Sequence, residues 1–295
     1  MTAQVLVIGE ALIDIVDAGD GASEFVGGSP ANVAVGLARH GVGATLLTRI
    51  GRDDRGIRIA EHLASSGAAL ATESWTDEPT STARAVLQPD GSAEYVFDIA
   101  WTVPDTAVVA DVVHTGSIAL FLAPGAAAVV DRLARASRAG SMVTVDPNIR
   151  PALVGDHVAA QERFAAAAAA ADLVKLSDED AAWLYPDLSP TDVLARVAAH
   201  GPRVVVMTRG GAGALGLGPE GLVEAEAWPV TVADTIGAGD AYMSSLIASA
   251  LDDPQLLTSG EALARTMRRA AVAAGITVSR SGANPPTRAE VDAAL

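Results

Sequence analysis

Residues 142–208 contain three short apolar runs, MVTVD (142–146), DLVKL (172–176) and RVVVMT (203–208), separated by alanine-rich segments. Runs of this kind, without an alternating polar face, read as strands covered on both sides, the habit of a parallel sheet under helices. QVLVIG (4–9) and ATLLTRI (44–50) repeat the pattern nearer the N-terminus. The intervening stretches carry helix signals. Ser29 and Pro30 stand where an N-cap and first helical position are expected, and Gly41 closes the same helix. The prediction is a doubly wound, mostly parallel α/β sheet in a single domain over residues 1–295.

Two segments, residues 11–26 and 72–103, break the rhythm. In the second, STARAVLQ (81–88), a Pro89-Asp90-Gly91 turn and AEYVFDI (93–99) predict a hairpin, and neither segment has a helical period. Both are expected to form a small β-sheet standing off the main domain, serving as a lid over a ligand or as an edge for homodimer contacts. The alanine tract 165–171 reads as plain helix surface.

Composition narrows the function. The 295 residues are 50% hydrophobic and carry a formal net charge of −16, with 4% aromatic residues. Such a chain can bury a large core, repels phosphate backbones and anionic lipid, and lacks a base-stacking surface, so neither nucleic acid nor membrane is an expected partner. Without cysteine there is no disulfide framework, thiolate metal site or thiol nucleophile. The opening residues meet acids at Glu10 and Asp14 instead of a basic leader, and the longest uncharged run, between His114 and Asp131, is broken by Pro124 and Gly125. A soluble cytoplasmic protein is expected.

Familiar motifs can be eliminated. Lys175 is the sole lysine and follows no G-x-x-x-x-G pattern, which excludes a Walker A loop. GAGALG (211–216) matches a dinucleotide fingerprint formally, but turn and strand, not helix, are predicted after it. Gly27-Gly28-Ser29-Pro30-Ala31 fails the nucleophile-elbow pattern. Histidines 40, 62, 114, 157 and 200 show no metal-ligand spacing.

Asp234-Thr235-Ile236-Gly237-Ala238-Gly239-Asp240, followed by AYMSSLIASAL, carries the chemistry. Small residues at 237–239 let backbone N–H groups converge, and the helix they open adds its positive end, so a phosphate fits there. Asp240 lies in the first helical turn, where a carboxylate can accept the proton of an attacking hydroxyl or simply cap the helix.

This heptad resembles the D-T-x-G-A-G-D signature of the ribokinase-like carbohydrate kinases, the phosphofructokinase-B family. Further resemblances follow in the family's order. Gly9-Glu10-Ala11-Leu12-Ile13-Asp14 is similar to its first strand with a substrate-binding acid, here Asp14, and Gly27-Gly28-Ser29-Pro30-Ala31-Asn32 to its first signature, which implies sugar contacts from Gly27, Gly28 and Asn32. Gly51 to Gly56 resembles a family turn and is read as structural, a helix cap. Asp146-Pro147-Asn148-Ile149-Arg150 resembles the D-x-N-x-R run of fructokinases and 2-keto-3-deoxygluconate kinases.

On the nucleotide side, Lys175-Leu176-Ser177-Asp178-Glu179-Asp180 resembles a motif whose last acid orients hydrated Mg²⁺. Asp180 stands where the family has glutamate, with Glu179 adjacent, so either acid is a candidate. Thr208-Arg209-Gly210-Gly211-Ala212-Gly213 is similar to the nucleotide loop, and the resemblance implies contacts to ATP from Lys175, Ser177, Thr208, Gly210, Gly213, Gly237, Gly239 and Ala271. Arg280 to Pro285 resembles the loop that, through Gly282, encloses K⁺ with Asp234 and the Ile236 carbonyl.

The resemblance implies a ribokinase-like fold and an ATP- and Mg²⁺-dependent sugar kinase with Asp240 as base and Gly237, Ala238 and Gly239 as anion hole. Fructose, giving fructose 6-phosphate, is the expected substrate. The alternatives are 2-keto-3-deoxygluconate, ribose or a nucleoside, or a non-catalytic sugar- or nucleotide-binding regulator. The lid reads Tyr95-Val96-Phe97-Asp98, in which Phe97 can cover a neutral ring and an inward Asp98 would repel an acid. Arg84 and Arg150 are the candidate partners for a substrate carboxylate.

Overall fold

The computed structural model describes residues 3–17, 21–87 and 93–295. The chain opens with β1 (Gln4–Ile8), then β2 (Leu12–Asp17), β3 (Ala22–Gly27), α1 (Ser29–Arg39), β4 (Gly43–Leu47) and β5 (Ile50–Gly51). After α2 (Asp54–Ser66) come short strands β6 (Ala69–Leu70) and β7 (Trp75–Thr76), followed by β8 (Thr82–Leu87) and β9 (Ala93–Asp98). The middle of the chain gives β10 (Val112–Gly116), α3 (Ile118–Phe121), α4 (Gly125–Ala139), β11 (Met142–Asp146), α5 (Pro151–Val154) and α6 (His157–Ala170). Next are β12 (Leu173–Ser177), α7 (Asp178–Leu184), α8 (Pro190–Ala198), β13 (Val204–Thr208), β14 (Ala214–Gly218) and β15 (Gly221–Ala225). Helices α9 (Ala238–Asp252), α10 (Gly260–Val278) and α11 (Arg288–Ala294) complete the chain.

The main sheet has nine strands in the order β15-β14-β13-β12-β11-β10-β1-β4-β6, all running the same way except β14, which is antiparallel to both its neighbours. Successive side chains of a strand point to opposite faces, and both faces are covered. Val5, Val7, Val204 and Val206 pack with Leu37 of α1, Leu246 of α9 and Met267 of α10. Leu6, Ile8, Val205 and Met207 pack with Leu133 of α4 and Phe164 of α6. Each such side chain taken from water contributes about 1.5–3 kcal/mol, which is why the runs in the sequence are unbroken. The strand order reverses between β1 and β10, the place beyond whose carboxyl ends open α/β sheets bind ligands.

A second sheet, ordered β3-β2-β8-β9, stands where the lid was expected. It is narrower than the predicted segments. Trp75 and Thr76 pair with β5 instead, and Trp101 is buried in the main domain, where its Nε1 donates to the Ala119 carbonyl at 3.0 Å. The Pro89-Asp90-Gly91 turn lies outside the described residues. One helix start also shifts: α1 has Gly28, not Ser29, as N-cap, with Ser29 and Pro30 in its first two positions. Asp53 caps α2 by accepting from the Gly56 N–H at 2.8 Å, the structural role expected of that turn. Among the described residues no helix is long and apolar enough to cross a membrane.

Candidate active site

Asp240 is the third residue of α9, 7% exposed, and its two carboxylate oxygens are held by α1. The Ser29 hydroxyl donates to Oδ1 at 2.6 Å and the Asn32 amide to Oδ2 at 2.8 Å. The first turns of two helices therefore meet at this carboxylate, and helix N-termini favour negative charge. Ser29 is free for this task because it does not cap its own helix. Each oxygen keeps a lone-pair direction for a third donor, such as a substrate hydroxyl.

Gly237 opens α9 with φ of 76°, and a side chain there would lie 2.7 Å from the Ala283 Cβ. Glycine is thus required both by conformation and by the close approach of the 280–284 loop. At Gly239 an added Cβ would stand 2.9 Å from the Lys175 ammonium.

The small sheet and the Gly27-Gly28 loop, where sugar contacts were expected, meet at Asp14. Register places Phe25, Asp14, Ala83 and Phe97 in one row across its four strands, so their side chains share a face. A side chain at Gly27 would collide with the Asp14 carboxylate, which ties this face to the start of α1. Burial pushes the Asp14 carboxyl up, opposed by the charge of Arg150. Phe25, which the sequence did not single out, is 57% exposed, while Phe97 is half-buried.

Two expectations about this sheet need correction. Arg84 pairs with Ile15 and Val96, one residue out of the Asp14 row, and so faces the other way. Its guanidinium donates to Asp17 at 3.3 Å. Asp98 shares that opposite face, opposite Thr82 and Ile13. Arg150 lies close enough to Asp14 for its charge to act there. It donates to the Asn148 Oδ1 at 2.8 Å, and its charge acts on both Asp14 and Glu10. Glu10 is buried at the reversal of strand order, accepts from the Ala119 N–H at 3.2 Å, and is pushed up to about 7, chiefly by burial.

Behind the glycine loop lies an ionic cluster. Lys175, 3% exposed, donates to Asp146 at 2.9 Å. Burial works against its charge, yet the carboxylates of Asp146, Asp180 and Asp240 together hold the ammonium above its ordinary value. Asp180 is buried and Glu179 exposed, which separates the two candidate acids. Asp180 accepts from the Ile149 N–H at 2.6 Å and the Ser177 N–H at 2.9 Å, and Ser177 in turn caps α7. The second oxygen of Asp146 is buried without a partner. One or two carboxylates plus phosphate oxygens are what Mg²⁺ requires, so this donor set fits it, although among the described residues no three metal-ligating side chains cluster.

A cavity of about 580 Å³ opens on the other side of the loop. Of the predicted nucleotide residues, Thr208, Gly210, Gly213, Gly239 and Ala271 line it. Lys175, Ser177 and Gly237 do not: Lys175 is in the buried ion pair, Ser177 in the helix cap, and Gly237 is packed against Ala283. Trp228 and Tyr242 line the cavity without having been anticipated. The Trp228 indole rests on Gly275 of α10, where an added Cβ would lie 2.8 Å from the ring.

Asp234 joins the two loops expected to enclose a cation. Its carboxylate accepts from the Ile236 N–H at 3.0 Å and the Gly282 N–H at 2.8 Å, and these bonds hold its carboxyl below the usual range.

The profile of the pfkB family carbohydrate kinases matches residues 2–290. The chain is 32% identical over 262 residues to fructokinase of Rhizobium leguminosarum bv. trifolii, spanning 83% of this chain and 79% of that protein. It is 30% identical over 311 residues to fructokinase-1 of Zea mays, spanning 97% and 96%. The crystal structure of fructokinase with bound ATP from Xylella fastidiosa has the same fold, with a TM-score of 0.85 at 24% identity over 99% of this chain and 98% of that one. A fructokinase double mutant from Vibrio cholerae O395, bound to fructose, ADP and a potassium ion, gives a TM-score of 0.84 at 24% identity over the same shares.

Proposed function

Because the chain belongs to the pfkB family of carbohydrate kinases, and is therefore a sugar kinase, we propose that it transfers the γ-phosphoryl group of ATP to fructose, giving fructose 6-phosphate and ADP. The observation that carries the mechanism is the Asp240 carboxylate, fixed by Ser29 and Asn32 at the meeting of two helix N-termini. The sugar lies between the Asp14 face of the small sheet and this carboxylate, with Asp14, Asn32 and the Gly27-Gly28 loop aligning its hydroxyl. That hydroxyl gives its proton to Asp240 as its oxygen bonds to the γ-phosphorus, and the bond to the β-phosphate oxygen breaks. The N–H groups of Gly237 to Gly239 receive the charge that develops on the transferring group. Mg²⁺, for which Asp180 and Asp146 are the suitable carboxylates, supplies neutralisation of phosphate charge, and Asp234, Ile236 and Gly282 are the residues for K⁺.

Fructose is favoured over a sugar acid because Asp14 and Asp240 stand on the acceptor side beside Arg150, once Arg84 is turned away. Relatives at 30–32% identity that are fructokinases point the same way. Arg150 is the group that a 2-keto-3-deoxygluconate carboxylate would use. A coupled ADP-release assay across neutral sugars and ketodeoxygluconate tests this: kcat/KM is highest for fructose, and a tenfold advantage for the acid would reverse the assignment.

A further inference from the structure

Helix α1 holds the candidate base with its first turn, and its last turn reaches the glycine loop by another route. Arg39 ends α1, and its Nη1 donates to the Asn284 Oδ1 and to the Pro285 carbonyl, each at 2.5 Å. A basic residue in the last turn of a helix is commonplace, but this guanidinium leaves its own helix for acceptors 245 and 246 positions away. Both acceptors are neutral. Burial and the charge of Arg280 lower the Arg39 guanidinium from its ordinary value, against the pull of Glu290. Beside it the Arg288 Nε donates to the His40 carbonyl at 2.7 Å, which moors the start of α11 to the same helix end.

Asn284 and Pro285 belong to the loop between α10 and α11, a stretch outside any helix or strand. Loops open locally at low cost unless something fastens them, and this one is fastened on two sides. The Gly282 N–H donates to the Asp234 carboxylate at 2.8 Å, and Arg39 takes Asn284 and Pro285, so Ala283 lies between two fixed points. Ala283 is the residue packed on Gly237, where an added Cβ would stand 2.7 Å from the Ala283 Cβ. Gly237 is the N-cap of α9 and opens the turn that leads to Asp240. Contacts therefore run without a break from the end of α1 through Ala283 to the glycine turn, while the start of α1 holds the Asp240 carboxylate.

We propose that Arg39 is a positioning residue for phosphoryl transfer: by fixing residues 284–285 it keeps Ala283 on Gly237, and so keeps the Gly237 to Gly239 N–H groups aimed at the transferring group. This rests on the kinase reading above. Arg39 acts through the loop, so its effect falls on the transition state and not on the binding of fructose.

The test compares wild type with Arg39→Met, Asn284→Ala and the double variant, by amide hydrogen exchange across residues 234–240 and by initial rates. Asn284 is exposed, so its truncation leaves the core intact should Arg39→Met fold poorly. Exchange across 234–240 should quicken several-fold in both single variants. Turnover should fall about tenfold in Arg39→Met and about threefold in Asn284→Ala, the scale of hydrogen bonds from a charged group, with KM for fructose within about twofold. The double variant should fall no further than Arg39→Met, since both changes remove one contact. Arg39→Lys, which keeps a charged donor, should recover part of kcat. Unchanged exchange or unchanged kcat in Arg39→Met overturns the proposal, and in Asn284→Ala does so where Arg39→Met fails to fold. Additive losses in the double variant, or a raised KM for fructose at constant kcat, overturn it too. If wild type phosphorylates no sugar, the kinase reading fails instead, and exchange across 234–240 still decides whether Arg39 holds the turn.

Discussion

The Ser29 hydroxyl donates to the Asp240 carboxylate across 211 positions of sequence, at 2.6 Å. With Asn32 on the other oxygen at 2.8 Å, the candidate base is held by the helix that begins at the Gly27-Gly28 loop. The proposed sugar contacts and the proposed base thereby share one junction, α1 against α9.

Asp240→Asn should fold and retain its stabilisation by ADP, while kcat falls by about 10²- to 10⁴-fold, the usual contribution of a positioned base. Single-turnover rates check this. A variant with more than a tenth of wild-type turnover would remove Asp240 from the chemistry.

Ser29→Ala removes one of the two donors and leaves the Asn32 contact. Hydrogen bonds to charged groups are worth about 1.5–3 kcal/mol, so kcat/KM for the sugar should drop by about ten- to hundredfold with KM for ATP unchanged. Steady-state kinetics in both substrates separate these effects.

Two glycines of the same cavity should differ sharply. Gly239→Ala sets a Cβ 2.9 Å from the buried Lys175 ammonium, whereas Gly211 has nothing within 4 Å. Overpacking against a paired, buried charge should cost about 1–3 kcal/mol and displace the anion hole. Melting temperature and kcat should both fall for Gly239→Ala and stay near wild type for Gly211→Ala.

Activity should rise with K⁺ over Na⁺ or choline, because Asp234 ties the 234–239 loop to Gly282 beside the anion hole. Asp234→Ala should abolish that response and lower kcat. Equal rates in the three salts would dispose of the cation site.

Glu10 sets a pH dependence of stability. Its folded pKa of about 7 lies above the ordinary 4.5, so the folded state binds the extra proton between those values. The stability this group contributes is fully present below pH 4.5 and is lost as pH rises through 7, about 3 kcal/mol in all. Glu10→Gln, which keeps an acceptor for the Ala119 N–H, should flatten the fall in melting temperature between pH 5 and 8 and melt higher than wild type at pH 8.

The alternation of buried strands and helices was legible because strands covered on both faces must be continuously apolar, as Val204–Met207 are. The glycine loop before Asp240 was legible because its residues are demanded by backbone geometry. The errors have equally physical origins. Arg84 was misread because the face a strand residue occupies depends on register, and one position reverses it. Lys175 was expected at the nucleotide by resemblance, and its burial against Asp146 is a product of tertiary packing that the sequence does not announce. Ser29 looked like a cap, and only the distant arrival of α9 gives its hydroxyl another acceptor. Tyr242 had no local signal at all, since a place in a cavity wall is a property of the packed molecule.

The burial of Lys175 has a consequence for the protein's outer chemistry. As the sole lysine is 3% exposed and paired, every cationic side chain available at the surface apart from histidine is an arginine. Reducing sugars condense with free ε-amines to form Schiff bases, and guanidinium groups, protonated throughout the accessible pH range, resist that attack. The protein thus offers a reducing sugar no exposed lysine to glycate, and acylating or cross-linking reagents that target ε-amines find none at its surface.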